Sequence, residues 1–317
     1  MTTLVTLADV RAAADRVEGV VVRTPLLPVP GIGPDLWLKP ESLQPTGAFK
    51  VRGATNAVRS LPAESLRAGV VTHSSGNHGQ ALAYAARMAG IACWVVVPEG
   101  APSVKVEAIR AQGAEIVLVP PAQRLPEAER IAAVRGATLV PPFDDPAVIA
   151  GQGTLGLEIV ADLPDVDVVL VQVGGGGLVS GVAAAVKALS PSARVIGVEP
   201  ELAAETAEGL HTGTLVPWPV ERTYRTIADG VRTSPSELTF AHIQAYVDDI
   251  VTVTEEQIRA AVGVLAHQAR IVAEPSGALT TAAYLAGKAP GGRTVAIVSG
   301  GNADPALLHE LLRPSAG

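Results

Sequence analysis

The hydrophobic residues of this chain form short continuous runs instead of alternating with polar residues. The runs are rich in β-branched side chains, and alanine-rich stretches with helical periodicity, such as residues 81–89 and 104–112, separate them. A continuous apolar run is typical of a strand buried on both faces of a sheet. The repeated order of strand, helix and strand predicts an α/β fold whose mainly parallel sheets are covered by helices on both sides. The predicted strands are residues 70–73, 93–97, 116–119, 168–173, 195–198 and 295–299.

Helix starts and a proline cluster give the first boundaries. Thr6 is expected to cap a helix that runs to about Val17, because Asp9 stands where its charge favours a helix start. A second capped helix start is predicted at residues 145–150. The proline-dense stretch 140–143 interrupts the alternation, and we expect the chain to pass between two lobes there.

Composition excludes several classes of function. With 317 residues, of which 48% are hydrophobic and 17% charged, the chain is long enough for two compact units of a soluble protein. Its net charge of -7 comes without a long block of one sign, which argues against nucleic acid and anionic membranes and favours small-molecule partners. Residues 1–20 lack the apolar stretch of a signal peptide, and Cys93 is the single cysteine, so we expect a cytoplasmic location. No apolar run is long enough to span a membrane.

Lys50 is the first candidate for chemistry. An arbitrary lysine is far more often a solvated charge, here at the start of a predicted helix of about residues 49–60. The four residues before Lys50, 46–49, are however small or apolar. Such neighbours remove water from an amine and lower its pKa, which a nucleophilic lysine requires.

The segment Ser74-Ser75-Gly76-Asn77-His78 lies between a predicted strand and the helix that follows it. In open α/β sheets, ligands collect at this carboxyl end of the strands, and a helix N-terminus offers free N–H groups to an anion. Serine, glycine and asparagine are also favoured there for local reasons, as turn and N-cap residues. From this segment alone, both interpretations stay open.

Four consecutive glycines follow the predicted strand 168–173; they are Gly174, Gly175, Gly176 and Gly177. A structural turn needs only one or two, whereas backbone N–H groups that converge on a phosphate explain the excess. No Gly-Lys-Ser/Thr sequence ends the segment, so it is not a P-loop. Residues 151–156 match the G-x-G-x-x-G pattern, but a helix start and not a strand precedes them, so no dinucleotide site is expected.

Ser299 ends the last predicted strand and precedes a glycine turn. One interpretation is an ordinary helix cap. The other is a neutral hydroxyl that hydrogen-bonds a ring atom of a ligand, and the neighbouring residues do not separate the two.

Four segments, taken in this order, resemble the fold-type II pyridoxal-phosphate enzymes, and within them the serine/threonine dehydratase and serine racemase branch. They are residues 46–54, 74–80, 174–177 and 299–302. Each alone is a weak signal, but the resemblance covers nearly the whole chain and includes residues 146–154. It implies a tryptophan synthase β-like fold with two parallel-sheet α/β domains and the cofactor in the cleft between them. The implied large domain comprises residues 1–58 and 143–317, and the implied small domain residues 59–142.

The resemblance also implies a role for each site residue. Lys50 would form a Schiff base with pyridoxal 5'-phosphate, Phe49 would pack on the pyridine ring, and Asn77 would bind the ring hydroxyl. Gly174, Gly175, Gly176, Gly177 and Leu178 would hold the phosphate, and Ser299 would face the ring nitrogen. Ser74, Ser75, Asn77 and His78 would bind the substrate carboxylate, largely through backbone N–H groups.

These roles imply a threonine/serine dehydratase that converts a 3-hydroxy-L-amino acid to a 2-oxo acid and ammonia. Lys50 would take the Cα proton, and the neutral Ser299 would favour elimination over transamination. Ser75 stands where racemising relatives carry a second acid or base, so serine racemase is the closest alternative; an ordinary loop hydroxyl is the competing interpretation. A 3-hydroxyaspartate dehydratase is a further alternative. Phe143, expected opposite the substrate end, favours an uncharged substrate side chain.

Residues 199–205 resemble the divalent-cation loop of the racemase branch. By that resemblance Glu199, the Ala203 carbonyl and Glu205 would bind Mg²⁺, or else Mn²⁺ or Ca²⁺. The family more often has aspartate at the last position. A solvated acidic start of a helix is the competing interpretation.

Two other classes fit the sequence less well. Transferases that catalyse β-replacement share the fold, but Val51 and His78 differ from the residues that those enzymes usually have. A non-catalytic protein that binds a phosphate ligand would explain the glycines but not the setting of Lys50. A homodimer is implied by the family resemblance alone.

Overall fold

The computed structural model describes residues 3–313, whose strands form two sheets. The strands are β1 Leu27–Pro28, β2 Leu36–Pro40, β3 Val70–His73, β4 Cys93–Pro98, β5 Glu115–Val119, β6 Thr138–Leu139, β7 Val168–Gln172, β8 Arg194–Pro200, β9 Asp249–Val253 and β10 Thr294–Val298. The helices are α1 Leu7–Val17, α2 Lys50–Ser60, α3 Ala63–Ala68, α4 Asn77–Ala89, α5 Ser103–Arg110, α6 Arg124–Arg135, α7 Pro146–Asp162, α8 Gly177–Leu189, α9 Glu205–Thr212, α10 Val220–Thr223, α11 Glu237–Tyr246, α12 Glu255–Val264, α13 Pro275–Leu285 and α14 Pro305–Leu311. Within residues 3–313, no helix is long and apolar enough to cross a membrane.

The larger sheet has six strands in the order β1-β2-β10-β7-β8-β9. Strand β1 runs antiparallel to β2, and the remaining pairs of this sheet are parallel. Every residue of the central strands β7 and β10 is buried. Helices cover both faces of such strands, which explains why their sequences are continuous apolar runs.

The smaller sheet has four strands in the order β5-β4-β3-β6, and all of its pairs are parallel. The two sheets confirm the predicted α/β class. Strand β5 departs from the expected burial on both faces, because it lies at the edge of the sheet and Leu118 is 56% exposed. The exact domain boundaries inferred from the resemblance stay predictions.

Helix starts agree with the sequence where capping signals are present. Thr6 and Asp9 form a capping box at α1, and the Asp145 carboxylate accepts the N–H groups of the first turn of α7. The G-x-G-x-x-G segment therefore lies inside a helix, where Gly151 allows close packing: a Cβ atom there would come within 2.6 Å of the Gly53 Cα. The segment does not form the turn between a strand and a helix, because β6 ends at Leu139 and α7 begins at Pro146, and this rules out the dinucleotide fingerprint there.

Two helices begin earlier than the apolar periodicity predicts. Helix α4 begins at Asn77 instead of about residue 81, and α8 begins at Gly177 instead of about residue 182. Asparagine and glycine are weak helix formers and do not belong to the apolar pattern, so neither signal places the helix start at these residues. The first turn of a helix nevertheless tolerates them, because its N–H groups have no partner within the helix. Both predicted anion-binding segments thus lie at helix N-termini.

A buried ion-pair cluster joins the start of α2 to α7 and to the segment after β2. The Arg52 guanidinium contacts the Glu41 and Glu158 carboxylates, each at 2.7 Å, and the Lys39 ammonium contacts Glu158 at 2.6 Å. The side chains of Arg52, Glu41 and Lys39 are fully buried. Buried charges require this pairing, so the cluster fixes the helix that begins with Lys50.

Arg52→Ala is expected to lower the free energy of unfolding by about 3–5 kcal/mol, because Glu41 then stays buried without its partner. Urea denaturation measures this change. The control is Arg130→Ala, which breaks an exposed pair with Glu127 and is expected to change the free energy of unfolding far less. If the two variants lost equally little stability, the cluster would not be what fixes α2.

Candidate active site

Three predicted motifs lie at the carboxyl ends of parallel strands. Ser74 follows β3 directly, Gly174 lies just after β7, and Ser299 follows β10. The Lys50 segment joins them, because the Phe49 N–H donates to the Ser299 carbonyl at 3.0 Å. The carboxyl ends of strands are where open α/β sheets bind ligands.

Lys50 is the first residue of α2 and is half-buried. Its Nζ donates to the Pro142 carbonyl at 2.6 Å and lies 5.1 Å from the centre of the Phe49 ring. Burial lowers the pKa of Lys50 to about 8. Near neutral pH its neutral, nucleophilic form is therefore far more populated than that of an exposed lysine.

The glycine segment begins α8 and is closely packed. Gly176 is the N-cap and has a φ of +82°, a conformation that glycine adopts without steric cost. A Cβ atom on Gly175 would come within 2.2 Å of the Phe143 ring, and one on Gly174 within 2.7 Å of the Val231 Cα. Steric packing therefore accounts for part of the glycine excess that the sequence attributed to a phosphate alone.

The N-terminus of α8 still offers backbone N–H groups to an anion. Gly177 and the buried Leu178 form the first turn of this 13-residue helix. Phe143 packs against the glycine segment, with its Cβ 2.8 Å from the position of a Cβ on Gly177. The expectation that Phe143 lies opposite the substrate end has no support in these contacts.

The segment after β3 leads into the N-terminus of α4. Ser74, Ser75 and Asn77 are half-buried, and the Ser74 Oγ accepts the Gly76 N–H at 3.3 Å. His78 is buried, and its Nε2 lies 3.1 Å from the Val140 carbonyl.

The His78 side chain is a poor ligand for a carboxylate. Burial, with the Lys50 ammonium adding to it, lowers the pKa of His78 to about 3, so the imidazole is neutral. A carbonyl only accepts hydrogen bonds, so the proton is on Nε2 and Nδ1 carries a lone pair that repels a carboxylate. The expected contact of His78 with a substrate carboxylate through its backbone N–H, in the first turn of α4, stays a prediction.

Two residues beside Asn77 were not predicted from the sequence. The Asn77 Nδ2 donates to the Glu274 Oε1 at 2.6 Å, and the Asn77 Oδ1 accepts from the Asn302 Nδ2 at 2.8 Å. Burial, with the Asp229 carboxylate adding to it, raises the pKa of Glu274 to about 7. For Glu274 the available signal was a single glutamate at the end of the apolar run Ile271-Val272-Ala273. Asn302 ends the segment 299–302 named from the sequence, but no role was assigned to it.

The predicted cation loop lies at the end of β8 and the start of α9. Glu199 and Glu205 are both buried. The Glu199 carboxylate accepts the backbone N–H groups of Thr206 at 3.3 Å and Ala207 at 2.8 Å. Across residues 3–313, no group of three or more His, Cys, Asp and Glu side chains is placed to hold a metal ion, so this site stays a prediction.

The Lys50 Nζ contacts the Pro142 carbonyl, and the next residue, Phe143, packs against the glycines at the start of α8. A half-buried lysine of lowered pKa and a glycine-rich helix start, both near the carboxyl ends of parallel strands, form the arrangement of an α/β enzyme with a lysine nucleophile. The sequence profile of the family described as "Pyridoxal-phosphate dependent enzyme" matches residues 17–300. The chain belongs to this family.

Individual relatives cover nearly the whole chain. The L-threonine ammonia-lyase of Thermotoga maritima is 42% identical over 98% of this chain and 78% of the relative. The serine racemase of Dictyostelium discoideum is 40% identical over 97% of this chain and 98% of the relative. The structure of maize serine racemase superposes with a TM-score of 0.93 at 36% identity, covering 97% of each chain. These relatives place the chain in the predicted dehydratase and racemase branch.

The lowered pKa of Lys50 predicts how the rate of cofactor uptake depends on pH. Only the neutral amine attacks an aldehyde, so the rate at which the cofactor-free protein regains visible absorbance with pyridoxal phosphate should rise with a midpoint near pH 8. A midpoint near the ordinary lysine value of 10.5, or a flat rate between about pH 7 and pH 9, would contradict this assignment. Lys50→Ala is the control and should show no such phase.

Proposed function

We propose that this chain is a pyridoxal-phosphate-dependent threonine/serine dehydratase, which converts a 3-hydroxy-L-amino acid to a 2-oxo acid and ammonia. The observation that carries the proposal is the half-buried Lys50 amine, whose pKa is about 8. Its hydrogen-bond partner Pro142 precedes Phe143, which packs against the glycine-rich start of α8. The threonine ammonia-lyase and serine racemase relatives support the same chemistry.

The residues around Lys50 fit the cofactor. Glycines at the start of α8 leave its N–H groups accessible to the phosphate, and a side chain on Gly175 would collide with Phe143. Phe49 would pack on the pyridine ring, Asn77 would donate to the ring oxygen, and the buried Ser299 would face the ring nitrogen. When bound, the cofactor supplies an electron sink for the charge that develops at the substrate Cα.

The protein groups then act on the substrate. Lys50 would take the Cα proton, for which a pKa of about 8 is well matched to neutral pH. The backbone N–H groups of Ser75, just before α4, and of Asn77 and His78 in its first turn would bind the substrate carboxylate. The Ser74 N–H, also expected there, donates to the Val96 carbonyl at 3.1 Å, so Ser74 would contribute only its hydroxyl. Ser299 is neutral and cannot hold the ring nitrogen protonated as a carboxylate would, which favours elimination over transamination.

Racemisation of serine is the second candidate. Serine racemases are among the relatives, and Ser75 is half-buried on the segment expected to face the substrate. If Ser75 returned a proton to Cα from the face opposite Lys50, the D-enantiomer would form. A 3-hydroxyaspartate dehydratase stays a further alternative, and β-replacement and non-catalytic binding have the least support.

The test is a substrate panel of L-threonine, L-serine and 3-hydroxyaspartate, in which 2-oxo acid, ammonia and D-amino acid are measured together. We expect 2-oxo acid and ammonia in equal amounts from at least one substrate, and Lys50→Ala should abolish them. Ammonia release that survives in Lys50→Ala would refute the proposal. Ser75→Ala separates the candidates: if Ser75 is the second acid, D-serine formation falls while ammonia release persists.

We also propose that Glu199, the Ala203 carbonyl and Glu205 bind a divalent cation such as Mg²⁺. In support, both carboxylates are buried, and the Glu205 Oε2 has no hydrogen-bond partner within residues 3–313. Burial raises the pKa of Glu199 to about 8, so a cation would have to displace a proton there.

Magnesium is therefore expected to raise the melting temperature, by an amount that grows as pH rises through about 8. A chelator should reverse the effect, and Glu205→Gln should abolish it. Melting temperatures that respond to neither magnesium nor chelator would refute the cation site.

Three further assignments stay proposals, and the first two of them rest on the family resemblance. The large domain is expected to comprise residues 1–58 and 143–317, and the small domain residues 59–142. We also expect a homodimer and a cytoplasmic location.

A further inference from the structure

Asn77 is held by a chain of polar side chains that joins the two sheets. It begins α4, next to the smaller sheet, whereas Glu274 and Asn302 lie at the start of α13 and after β10, next to the larger sheet. Both polar atoms of the Asn77 amide are used: Nδ2 donates to the Glu274 Oε1 at 2.6 Å, and Oδ1 accepts from the Asn302 Nδ2 at 2.8 Å.

A backbone carbonyl at one end of this row of polar side chains fixes the direction of each hydrogen bond between them. The Asn302 Nδ2 also donates to the Thr46 carbonyl at 2.8 Å. Since a carbonyl can only accept, the amide nitrogen of Asn302 must face both Thr46 and Asn77. The oxygen of Asn77 therefore faces Asn302, and its nitrogen faces Glu274. One N–H of the Asn77 amide then remains for a ligand.

Glycines of two sequence motifs leave the space that these side chains occupy. Gly47, in the Lys50 segment, has a φ of +70°, and a Cβ atom there would come within 2.3 Å of the Asn302 Oδ1. A Cβ atom on Gly300 would come within 2.6 Å of the Glu274 Oε1. The absence of a side chain at both glycines therefore leaves room for the side chains of Asn302 and Glu274, in addition to allowing the local turns.

Glu274 accepts the bond from Asn77 in either protonation state. It is 5% exposed, and burial together with the Asp229 carboxylate raises its pKa to about 7. Asp229 itself pairs with Lys105. A neutral carboxyl keeps a carbonyl oxygen that accepts a hydrogen bond, and a glutamine amide has one in the same place. A glutamine at position 274 should therefore still accept the hydrogen bond from Asn77, whereas an alanine cannot.

We propose that Glu274 and Asn302 are positioning residues, which orient the Asn77 amide so that its remaining N–H is free to bind the ring oxygen of pyridoxal phosphate. This inference rests on the proposed function, because it assumes that the cofactor lies beside Lys50. Neither residue needs to contact the substrate. Their effect passes through Asn77.

The test compares Glu274→Ala, Asn302→Ala and Glu274→Gln with the wild-type protein and with the exposed control Glu64→Ala. The dissociation constant of pyridoxal phosphate is measured by titrating visible absorbance, and urea denaturation checks each fold. We expect both alanine variants of the hydrogen-bonded chain to bind the cofactor about tenfold more weakly, the loss of one well-formed hydrogen bond to a ligand. Their visible band at saturating cofactor should also be displaced. Glu274→Gln should recover most of the affinity and the band, and Glu64→Ala should match the wild type.

The outcomes separate this inference from the proposed function. If the wild-type protein binds pyridoxal phosphate but the Glu274→Ala and Asn302→Ala variants match it in affinity and band position, the positioning role is overturned alone. A Glu274→Gln variant that is as impaired as Glu274→Ala also overturns it. If Glu274→Ala does not fold, the Gln and Asn302→Ala variants decide. A wild-type protein that forms no visible band on adding the cofactor overturns both.

Discussion

Two backbone hydrogen bonds between the lysine segment and the loop after β10 determine the geometry of the site. The Phe49 N–H donates to the Ser299 carbonyl at 3.0 Å, and the Gly301 N–H donates to the Gly47 carbonyl at 2.9 Å. They attach the start of α2 to the carboxyl end of a central strand of the larger sheet. Without them the Lys50 amine would not be fixed beside the strand ends at which open α/β sheets bind ligands.

This arrangement buries charged side chains, which is unfavourable unless they are paired or become neutral. The protein uses both solutions. The cluster around Arg52 pairs its buried charges, so it can stay ionised and fix α2. Lys50 has only the Pro142 carbonyl at hydrogen-bond distance among the described residues, and its pKa falls to about 8. Pairing makes the first group structural, whereas the lack of a carboxylate partner makes the second reactive.

The sequence predicted those parts of the fold that local patterns determine. Continuous apolar runs identified β7 and β10, and Thr6 marked the start of α1. The starts of α4 and α8 were placed too late, because Asn77 and Gly177 carry no apolar periodicity. The exposure of β5 depends on its position at a sheet edge, which only strand order reveals.

The site was predictable to the extent that its residues lie in motifs. Lys50 was identified by its apolar neighbours, and the glycines by their number, although their packing against Phe143 and Val231 is a tertiary effect. Glu274 and Asn302 were missed, since their contacts with Asn77 span 197 and 225 residues of sequence. The orientation of the His78 imidazole could not be predicted from the sequence either, because its hydrogen-bond partner is a backbone carbonyl distant in the sequence.

The central claim is that Lys50 is the residue to which pyridoxal phosphate becomes attached. Borohydride reduction of the cofactor-loaded protein, followed by proteolysis and mass spectrometry, tests it most directly. The account predicts that visible absorbance disappears and that the pyridoxyl label is found on the peptide containing Lys50. A label on another lysine, or none on Lys50 in a protein that had shown visible absorbance, would contradict it.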